Sequence, residues 1–127
     1  LAIVCCPGEF TTIAGQRVIH TVKHVLADQS DIEGVWLACY CNDYMGYVTT
    51  YEEYQEQAYE GGHTLFGQWT LAACQSKFKL LAEQLLLDKN QRNYDQVIRP
   101  KPIPQQELAK RSNHGNLKTA TSQGEAV

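Results

Sequence analysis

Three tyrosines and two glutamates crowd one short segment of the chain, Gly46-Tyr47-Val48-Thr49-Thr50-Tyr51-Glu52-Glu53-Tyr54-Gln55. Thr50 and Glu53 have the spacing of a capping box, in which a hydroxyl and a carboxylate each satisfy a free amide at a helix start. Tyr47 therefore lies just outside the predicted helix, where its phenol is a candidate site group. Free tyrosine titrates at about pH 10, so a phenolate at this position would need a strong Lewis acid nearby.

The spacing of the tyrosines leaves a second interpretation open. Tyr44, Tyr47, Tyr51 and Tyr54 follow one another at intervals of three and four residues, which also fits an aromatic stripe on one helix. The β-branched run Val48-Thr49-Thr50 makes a poor helix interior and argues against that stripe for Tyr47. Simple packing remains open for Tyr51 and Tyr54.

A strand, a helix and a second strand are predicted to position this segment. The apolar residues 1–6 are a strand candidate, and Thr11 or Thr12 can cap an amphipathic helix that continues to about Ala27. Residues 35–41 are a second strand candidate. Together they form a βαβ unit with parallel strands, so the fold class is predicted to be α/β, with further helices and as part of a larger α/β catalytic domain.

The βαβ arrangement brings Glu9 close to Tyr47. Glu9 lies in the loop after the first predicted strand, and Tyr47 lies in the loop after the second. Both loops leave the carboxyl edge of the same sheet, which is where open α/β sheets bind their ligands. We therefore expect the two side chains to share a site.

A long helix and a polar tail are predicted after Leu65. The chain turns at Gly67 and enters a helix with a core-facing apolar stripe, formed by Leu71, Cys74, Phe78, Leu81 and Leu85. The stripe spans only about two heptads, too few to establish a coiled coil. We divide the chain into a folded part at residues 1–87, a proline-containing connector at 88–111 and a disordered tail at 112–127.

Composition and charge exclude some classes of partner. The chain has 127 residues, with 11 basic and 14 acidic side chains and a formal charge of −3. No basic field is therefore available for nucleic acid or an anionic membrane. No apolar run approaches the roughly 20 residues of a membrane span. These residues contain no basic-then-apolar leader before a cleavage site, which leaves a leader further upstream open. Because the chain lacks an initial Met and opens on Leu1-Ala2-Ile3-Val4, we expect it to be an internal piece of a longer polypeptide.

The five cysteines do not have the spacing of a zinc finger. They contain no CxxC pair and lie at Cys5, Cys6, Cys39, Cys41 and Cys74. Cys39 and Cys41 share a face of the predicted second strand, whereas Cys5 and Cys6 point to opposite faces. Most are expected to be small buried hydrophobic residues. A metal site built on Cys39 and Cys41 is a further alternative.

The histidines also lack the sequence pattern of a zinc-binding helix. His20 and His24 stand one helical turn apart, but they face away from the apolar arc and no glutamate follows His20, so solvent exposure is expected. His63 lies in the Gly61-Gly62 loop, where it could contact a substrate. His114 lies in the predicted tail.

Two longer motifs resemble the neutral ceramidase family. Residues 7–17 read PGEFTTIAGQR and are similar to that family's PGEFTTMAGRR segment. Residues 47–55, followed by Gln57, Tyr59-Glu60-Gly61 and Thr64-Leu65, resemble its YVTTYEEYQxQRYEGxSTL segment. The resemblance covers about residues 1–86 and suggests the C-terminal part of the family's catalytic domain.

The resemblance implies a zinc-dependent amidase that hydrolyses ceramide to sphingosine and a fatty acid. Glu9 matches the family's carboxylate zinc ligand, Tyr47 its tyrosine zinc ligand, and Tyr59 a tyrosine that hydrogen-bonds the substrate head or the developing oxyanion. The family's two histidine ligands and its serine come from upstream segments. The chain is therefore expected to be inactive alone and to work with the remainder of the catalytic domain on a sphingolipid substrate. Family members are secreted or held at the cell surface, but these residues do not indicate a compartment.

Departures from the motifs leave room for a non-catalytic alternative. Ala58 stands where many members carry Arg, Gly62-His63 replaces a small-Ser pair, and Gln68-Trp69 replaces Pro-His. These differences affect contacts with the substrate head more than they affect Glu9 and Tyr47. The alternative is a truncated paralogue that acts as a lipid-binding or interaction module.

Overall fold

Short strands alternate with helices in the first part of the chain, and longer helical structure follows. The computed structural model describes residues 1–94 and 104–107. Its elements are β1 (Ala2–Cys5), β2 (Glu9–Phe10), α1 (Thr12–Val25), β3 (Val35–Ala38), β4 (Tyr47–Val48), α2 (Tyr51–Gln55), α3 (Tyr59–Gly62), α4 (Thr70–Leu85) and a 3-10 helix (Lys89–Gln91).

The predicted parallel strand pair is confirmed. β1 pairs in parallel with β3, from Ala2 opposite Val35 to Cys5 opposite Ala38, and α1 lies between them in sequence. Thr11 caps α1 through its side-chain oxygen, which accepts from the amide of Ala14. The prediction that the second strand continues to Cys41 is wrong. β3 ends at Ala38 because Tyr40 and Asn42 have φ angles of 61° and 67°, which no strand adopts.

The core lies between α1, α4 and the inner face of the first sheet. The apolar arc of α1 is buried, as predicted from its periodicity, and packs with residues of both strands and of α4. The buried members of this core include Val4, Val18, Val22, Val35, Leu71 and Ala82. Gly15 allows α1 to approach β3 closely, because a Cβ at this position would lie 3.0 Å from the Leu37 side chain.

The predicted apolar stripe of α4 is only partly core-facing. Leu71 is buried and Cys74 and Phe78 are half-buried, but Leu81 and Leu85 are 44% and 52% exposed. Leu81 and Leu85 line an open apolar groove of about 200 Å³ between α4, β1 and the end of α1. The prediction is therefore wrong for the last two turns, because none of the described residues fills this groove.

The outer face of the first sheet is apolar and exposed. Ile3 and Trp36 are register partners on β1 and β3, and their side chains are 60% and 67% exposed. Side chains alternate between the two faces of a strand, so their neighbours Val4 and Val35 point into the core instead.

The cysteines are less buried than predicted. Cys6 is buried and Cys5 is exposed, as expected for neighbours on opposite faces of a strand. Cys39, Cys41 and Cys74 are only half-buried. Because β3 ends before Cys39, the expected shared strand face of Cys39 and Cys41 does not exist.

The chain divides into two compact units, residues 1–94 and 95–127. The described part of the second unit is one helical turn at residues 105–107, where the Glu107 amide donates to the Pro104 carbonyl. The predicted tail at 112–127 and most of the predicted connector lie outside the described residues, so the division at 87 and 111 stays a prediction. Within the described ranges, no helix combines the length and apolar character needed to cross a membrane.

Candidate functional site

A second, very short sheet holds the two side chains that the sequence predicted to share a site. β2 pairs in parallel with β4, and the register places Glu9 opposite Tyr47 and Phe10 opposite Val48. The Glu9 amide donates to Gly46 at 3.0 Å, and the Thr11 amide donates to Val48 at 3.1 Å. Glu9 and Tyr47 were predicted to lie in loops. They lie instead on two-residue strands, and the backbone pairing of these strands brings them close together.

One carboxylate fixes the starts of the two helices that follow these strands. The predicted capping box of α2 is present, with the Thr50 side chain accepting from the Glu53 amide and Glu53 Oε2 accepting from the Thr50 amide at 2.8 Å. The same Glu53 Oε2 accepts from the hydroxyl of Thr11 at 2.7 Å. Since Thr11 is the cap of α1, Glu53 ties the end of β2 to the end of β4 and holds Glu9 and Tyr47 in register.

Gly46 brings the start of β4 against the loop after α3. Its φ is 92°, a conformation that favours glycine, and an added Cβ would lie 3.0 Å from the His63 carbonyl oxygen. Further along, the buried hydroxyls of Thr49 and Thr64 are hydrogen-bonded at 3.2 Å, and Thr64 also donates to the Glu60 carbonyl. These contacts place α3, and with it Tyr59, beside β4.

The three predicted site residues meet in one aromatic cluster. The rings of Tyr47 and Tyr59 are 5.7 Å apart and nearly perpendicular, and the ring of His63 lies 5.9 Å from Tyr47 on an edge contact. His63 was predicted to lie near this site, and it does. The Tyr44 hydroxyl donates to Glu9 Oε2 at 2.9 Å.

An open cavity of about 610 Å³ adjoins the cluster. Its lining includes Glu9, Tyr40, Tyr47 and Glu53, together with residues of α3. Tyr59 projects at the surface with 75% of its side chain exposed. The cavity therefore has carboxylates and phenols on its wall, and an exposed phenol stands next to it.

The tyrosines set the protonation state of the site. Hydrogen bonding from Tyr40, and then from Tyr44 and Tyr47, lowers the pKa of Glu9 against the opposing effect of desolvation. Desolvation, followed by hydrogen bonding to Glu9, raises the pKa of Tyr47 to about 12. Glu9 is therefore a carboxylate at neutral pH, and Tyr47 is a neutral phenol that can donate to it. A cation bound to Tyr47 as phenolate would have to displace that proton.

The donor set fits part of a zinc site. Zinc accepts carboxylate oxygen and usually takes four ligands, of which a catalytic site leaves one to water or substrate. Among the residues that the structure describes, no group of three His, Cys, Asp or Glu side chains is placed to hold a metal. His20 and His24 are exposed on α1, as predicted, and do not line the cavity. The described chain thus offers two adjacent oxygen donors, Glu9 and Tyr47.

Tyr40 and Tyr44 were not predicted as site residues. Their rings are stacked, with centroids 6.1 Å apart and planes at 18°. Tyr44 had a signal in the sequence, because it precedes Tyr47 by three residues. Tyr40 had none, since its position depends on the left-handed backbone that ends β3.

Fold and site together define an α/β protein segment in which a carboxylate and a phenol face each other on paired parallel strands. Residues 1–76 match the sequence model of the "Neutral/alkaline non-lysosomal ceramidase, N-terminal" family. The chain belongs to this family.

Individual relatives agree with this assignment. The chain is 48% identical over 88 residues to neutral ceramidase 3 of Arabidopsis thaliana, covering 68% of this chain and 12% of that protein. It is 41% identical over 86 residues to neutral ceramidase A of Dictyostelium discoideum, with the same coverage of 68% and 12%. The crystal structure of neutral ceramidase from Pseudomonas aeruginosa superimposes with a TM-score of 0.69 at 39% identity, over 77% of this chain and 15% of that chain.

The comparisons correct one prediction about placement. The matching model describes the N-terminal region of the family, so residues 1–76 are assigned to that region and not to the C-terminal part of the catalytic domain. Sequence motifs identify a segment, but they do not measure its distance from the ends of a longer protein. The chain spans only about an eighth of the length of these curated relatives, 12% in both cases.

Proposed function

We propose that this chain supplies one side of the zinc-dependent catalytic site of a neutral ceramidase, which hydrolyses the amide of ceramide to sphingosine and a fatty acid. The observation that carries the proposal is the parallel register of β2 and β4, which sets Glu9 directly opposite Tyr47. The position of Tyr59, with its ring 5.7 Å from that of Tyr47, supports it further.

Glu9 and Tyr47 would hold the zinc ion with their side-chain oxygens. When bound, zinc polarises the substrate carbonyl and lowers the pKa of a bound water. Glu9 is suited to this role because its lowered pKa keeps it ionised at neutral pH. Tyr44 donates to Glu9 Oε2 and so fixes the orientation of the carboxylate.

Tyr59 would act on the substrate. Its exposed side chain stands beside the candidate ligand Tyr47, so its hydroxyl can donate to the substrate's amide oxygen or polar head. A donor aimed at an oxygen that gains negative charge in the transition state accelerates amide hydrolysis, typically by about 10²–10³ in kcat.

The remaining ligands are expected from other parts of a longer ceramidase domain. Two oxygen ligands alone hold zinc weakly, because water molecules must fill the remaining coordination positions and add little to the affinity of the protein for the ion. We therefore expect the 127-residue chain by itself to bind zinc weakly and not to hydrolyse ceramide.

A segment exchange tests the proposal. Residues 1–86 would replace the matching segment of the neutral ceramidase of Pseudomonas aeruginosa, and the chimera would be assayed for ceramide hydrolysis. We expect an active chimera in which Tyr59→Phe lowers kcat about 100-fold or more, because one transition-state donor is lost. The matched control is Tyr51→Phe, which keeps the ring that packs on Trp69 at 5.2 Å and should leave kcat unchanged.

Two results would contradict the assignment. One is an active chimera in which Tyr59→Phe has the same kcat as Tyr51→Phe. The other is a chimera that folds, as judged by circular dichroism and thermal unfolding, but has no activity on ceramide even when zinc is supplied.

A further inference from the structure

Four of the five cysteines lie at one end of the first sheet, next to the stacked tyrosines, and the fifth lies on α4. Cys5 and Cys6 are at the end of β1, Cys39 and Cys41 follow β3, and Cys74 lies on α4. Cys6 is buried, and it is close enough to the other four thiols for their charges to add to the effect of burial in raising its pKa. Nothing in the proposed ceramidase site uses these groups.

Backbone pairing brings Cys41 next to Cys5. Cys5 is the register partner of Ala38, the last residue of β3. The Cys41 amide donates to the Cys6 carbonyl at 2.8 Å, and the Cys41 thiol donates to the Ala38 carbonyl at 3.3 Å. The Cys41 thiol therefore lies over the end of β3, at Ala38, which is the register partner of Cys5.

We propose that Cys5 and Cys41 are a reversible disulfide site that responds to small-molecule disulfides such as oxidised glutathione. Cys5 is exposed and can be reached by the oxidant, and Cys41 is half-buried directly beside it. A disulfide requires Cβ atoms about 3.5–4.5 Å apart, which two side chains at the same paired strand ends can reach with small movements. The proposed zinc chemistry uses neither of these two thiols.

The reaction balances as two thiol–disulfide exchanges. The Cys5 thiolate attacks oxidised glutathione, forming a mixed disulfide and releasing one glutathione thiolate. The Cys41 thiolate then attacks the Cys5 sulfur of that mixed disulfide, forming the Cys5–Cys41 bond and releasing the second glutathione thiolate. The two protons lost by the cysteines are taken up by the two glutathione thiolates, so glutathione is reduced as the protein is oxidised.

Cys6 and Cys74 are less suited to this reaction. Burial, and then the charges of the four surrounding thiols, raise the pKa of Cys6 to about 12, so Cys6 is almost never a thiolate. Burial also raises the pKa of Cys74. Cys5 and Cys6 point to opposite faces of β1 and are poorly placed to bond to each other.

The disulfide would fix the segment that holds the stacked tyrosines. Cys41 directly follows Tyr40 and lies three residues before Tyr44, whose hydroxyl donates to Glu9. Closing the Cys5–Cys41 bond would tie this segment to the end of β1. Hydrogen bonding with Cys41 raises the pKa of Cys5, so oxidation should become faster as the pH rises above neutrality.

Thiol mapping of the full chain tests this site. The chain would be equilibrated with oxidised glutathione, its free thiols alkylated, and its peptides analysed by mass spectrometry without reduction. We expect two of the five thiols to be protected, a mass lower by two hydrogens before alkylation, and a link between Cys5 and Cys41 that dithiothreitol reverses. Cys5→Ser and Cys41→Ser should each abolish the intramolecular link, whereas Cys74→Ser should keep it.

Three results of this thiol mapping would contradict the proposed Cys5–Cys41 disulfide. Five alkylated thiols after oxidation, or a link that pairs other cysteines in the unsubstituted chain, would overturn the proposal. If the same link formed at the same yield when the oxidation was carried out in urea, the proposal would also be overturned, because the folded backbone would then not be responsible for the pairing. Circular dichroism of Cys5→Ser and Cys41→Ser would verify that each variant is folded.

Discussion

Arg17 and Glu52 show how a single side-chain pair joins two parts of the site. The guanidinium of Arg17 on α1 binds both carboxylate oxygens of Glu52 on α2, at 2.9 and 3.2 Å. Hydrogen bonding from Arg17 lowers the pKa of Glu52 to about 2. The pair is exposed, so its contribution to stability is small, although its bidentate geometry is favourable.

This pair predicts a pH-dependent contribution to stability. The folded pKa of Glu52 is below its ordinary value of 4.5, so the stabilisation is fully present above that value and is lost as the pH falls towards 2. We expect Glu52→Gln to lower the urea midpoint slightly at pH 7. Near pH 2 the variant and the unsubstituted chain should have the same midpoint. The control is Glu56→Gln, just after α2. Equal midpoint shifts for both variants at pH 7 would contradict the role of the pair.

At the scale of elements, the approach of β4 to α3 depends on one glycine. Gly46 and Gly67 both have positive φ, at 92° and 88°. A Cβ on Gly46 would lie 3.0 Å from the His63 carbonyl oxygen, whereas a Cβ on Gly67 would meet nothing within 4 Å. A side chain at either position would strain the left-handed backbone, but only a side chain at Gly46 would also contact the backbone of His63.

The pair of glycines gives a matched test. Gly67→Ala should cost about 1–2 kcal/mol through left-handed strain alone. Gly46→Ala should cost about 1 kcal/mol more, because the backbone at His63 cannot yield as a flexible side chain would. Urea unfolding of both variants measures the difference. Equal losses would show that β4 and the His63 loop are not held in contact.

The elements also show what the sequence could and could not predict. Periodicity predicted α1, the capping box predicted the start of α2, and the βαβ order predicted that β1 and β3 are parallel. The two-residue strands β2 and β4 were missed, because two residues carry no alternating pattern. They pair because Glu53 binds both Thr11 and Thr50, and this tertiary contact is not visible in either motif alone.

The same limit applies to the roles of residues in the site. The proximity of Glu9 and Tyr47 followed from general rules of sheet topology, but their assignment to zinc came only from family resemblance. Tyr40 joined the cluster through a left-handed residue after β3, which local propensity did not indicate. Side chains placed by unusual backbone angles are therefore the part of the site that the sequence predicted least well.

At the scale of the whole molecule, the outer face of the first sheet is an exposed apolar surface. Ile3 and Trp36 are paired across β1 and β3 and are both exposed. Contiguous exposed apolar surface of this kind marks an interaction face or promotes association. It fits a chain that covers only 12% of the length of the curated relatives named above.

We expect the chain expressed alone to self-associate through this face. Ile3→Lys and Trp36→Lys should shift sedimentation towards the monomer, because each places a charge on the apolar surface. The control Gln16→Lys adds the same charge on the exposed side of α1. A monomeric unsubstituted chain, or an equal shift in the control, would contradict this expectation.

The central claim is that Glu9, held opposite Tyr47 by the β2–β4 register, is a zinc ligand of a ceramidase site. The most direct measurement is the zinc content of the purified Pseudomonas aeruginosa chimera, determined by elemental mass spectrometry after dialysis. Glu9→Gln keeps the shape of the side chain and an acceptor for Tyr44, while Glu33→Gln removes an exposed carboxylate before β3. We predict stoichiometric zinc in the unsubstituted chimera and in Glu33→Gln, and loss of most of the zinc from Glu9→Gln. Full zinc retention in a folded Glu9→Gln chimera would contradict the claim.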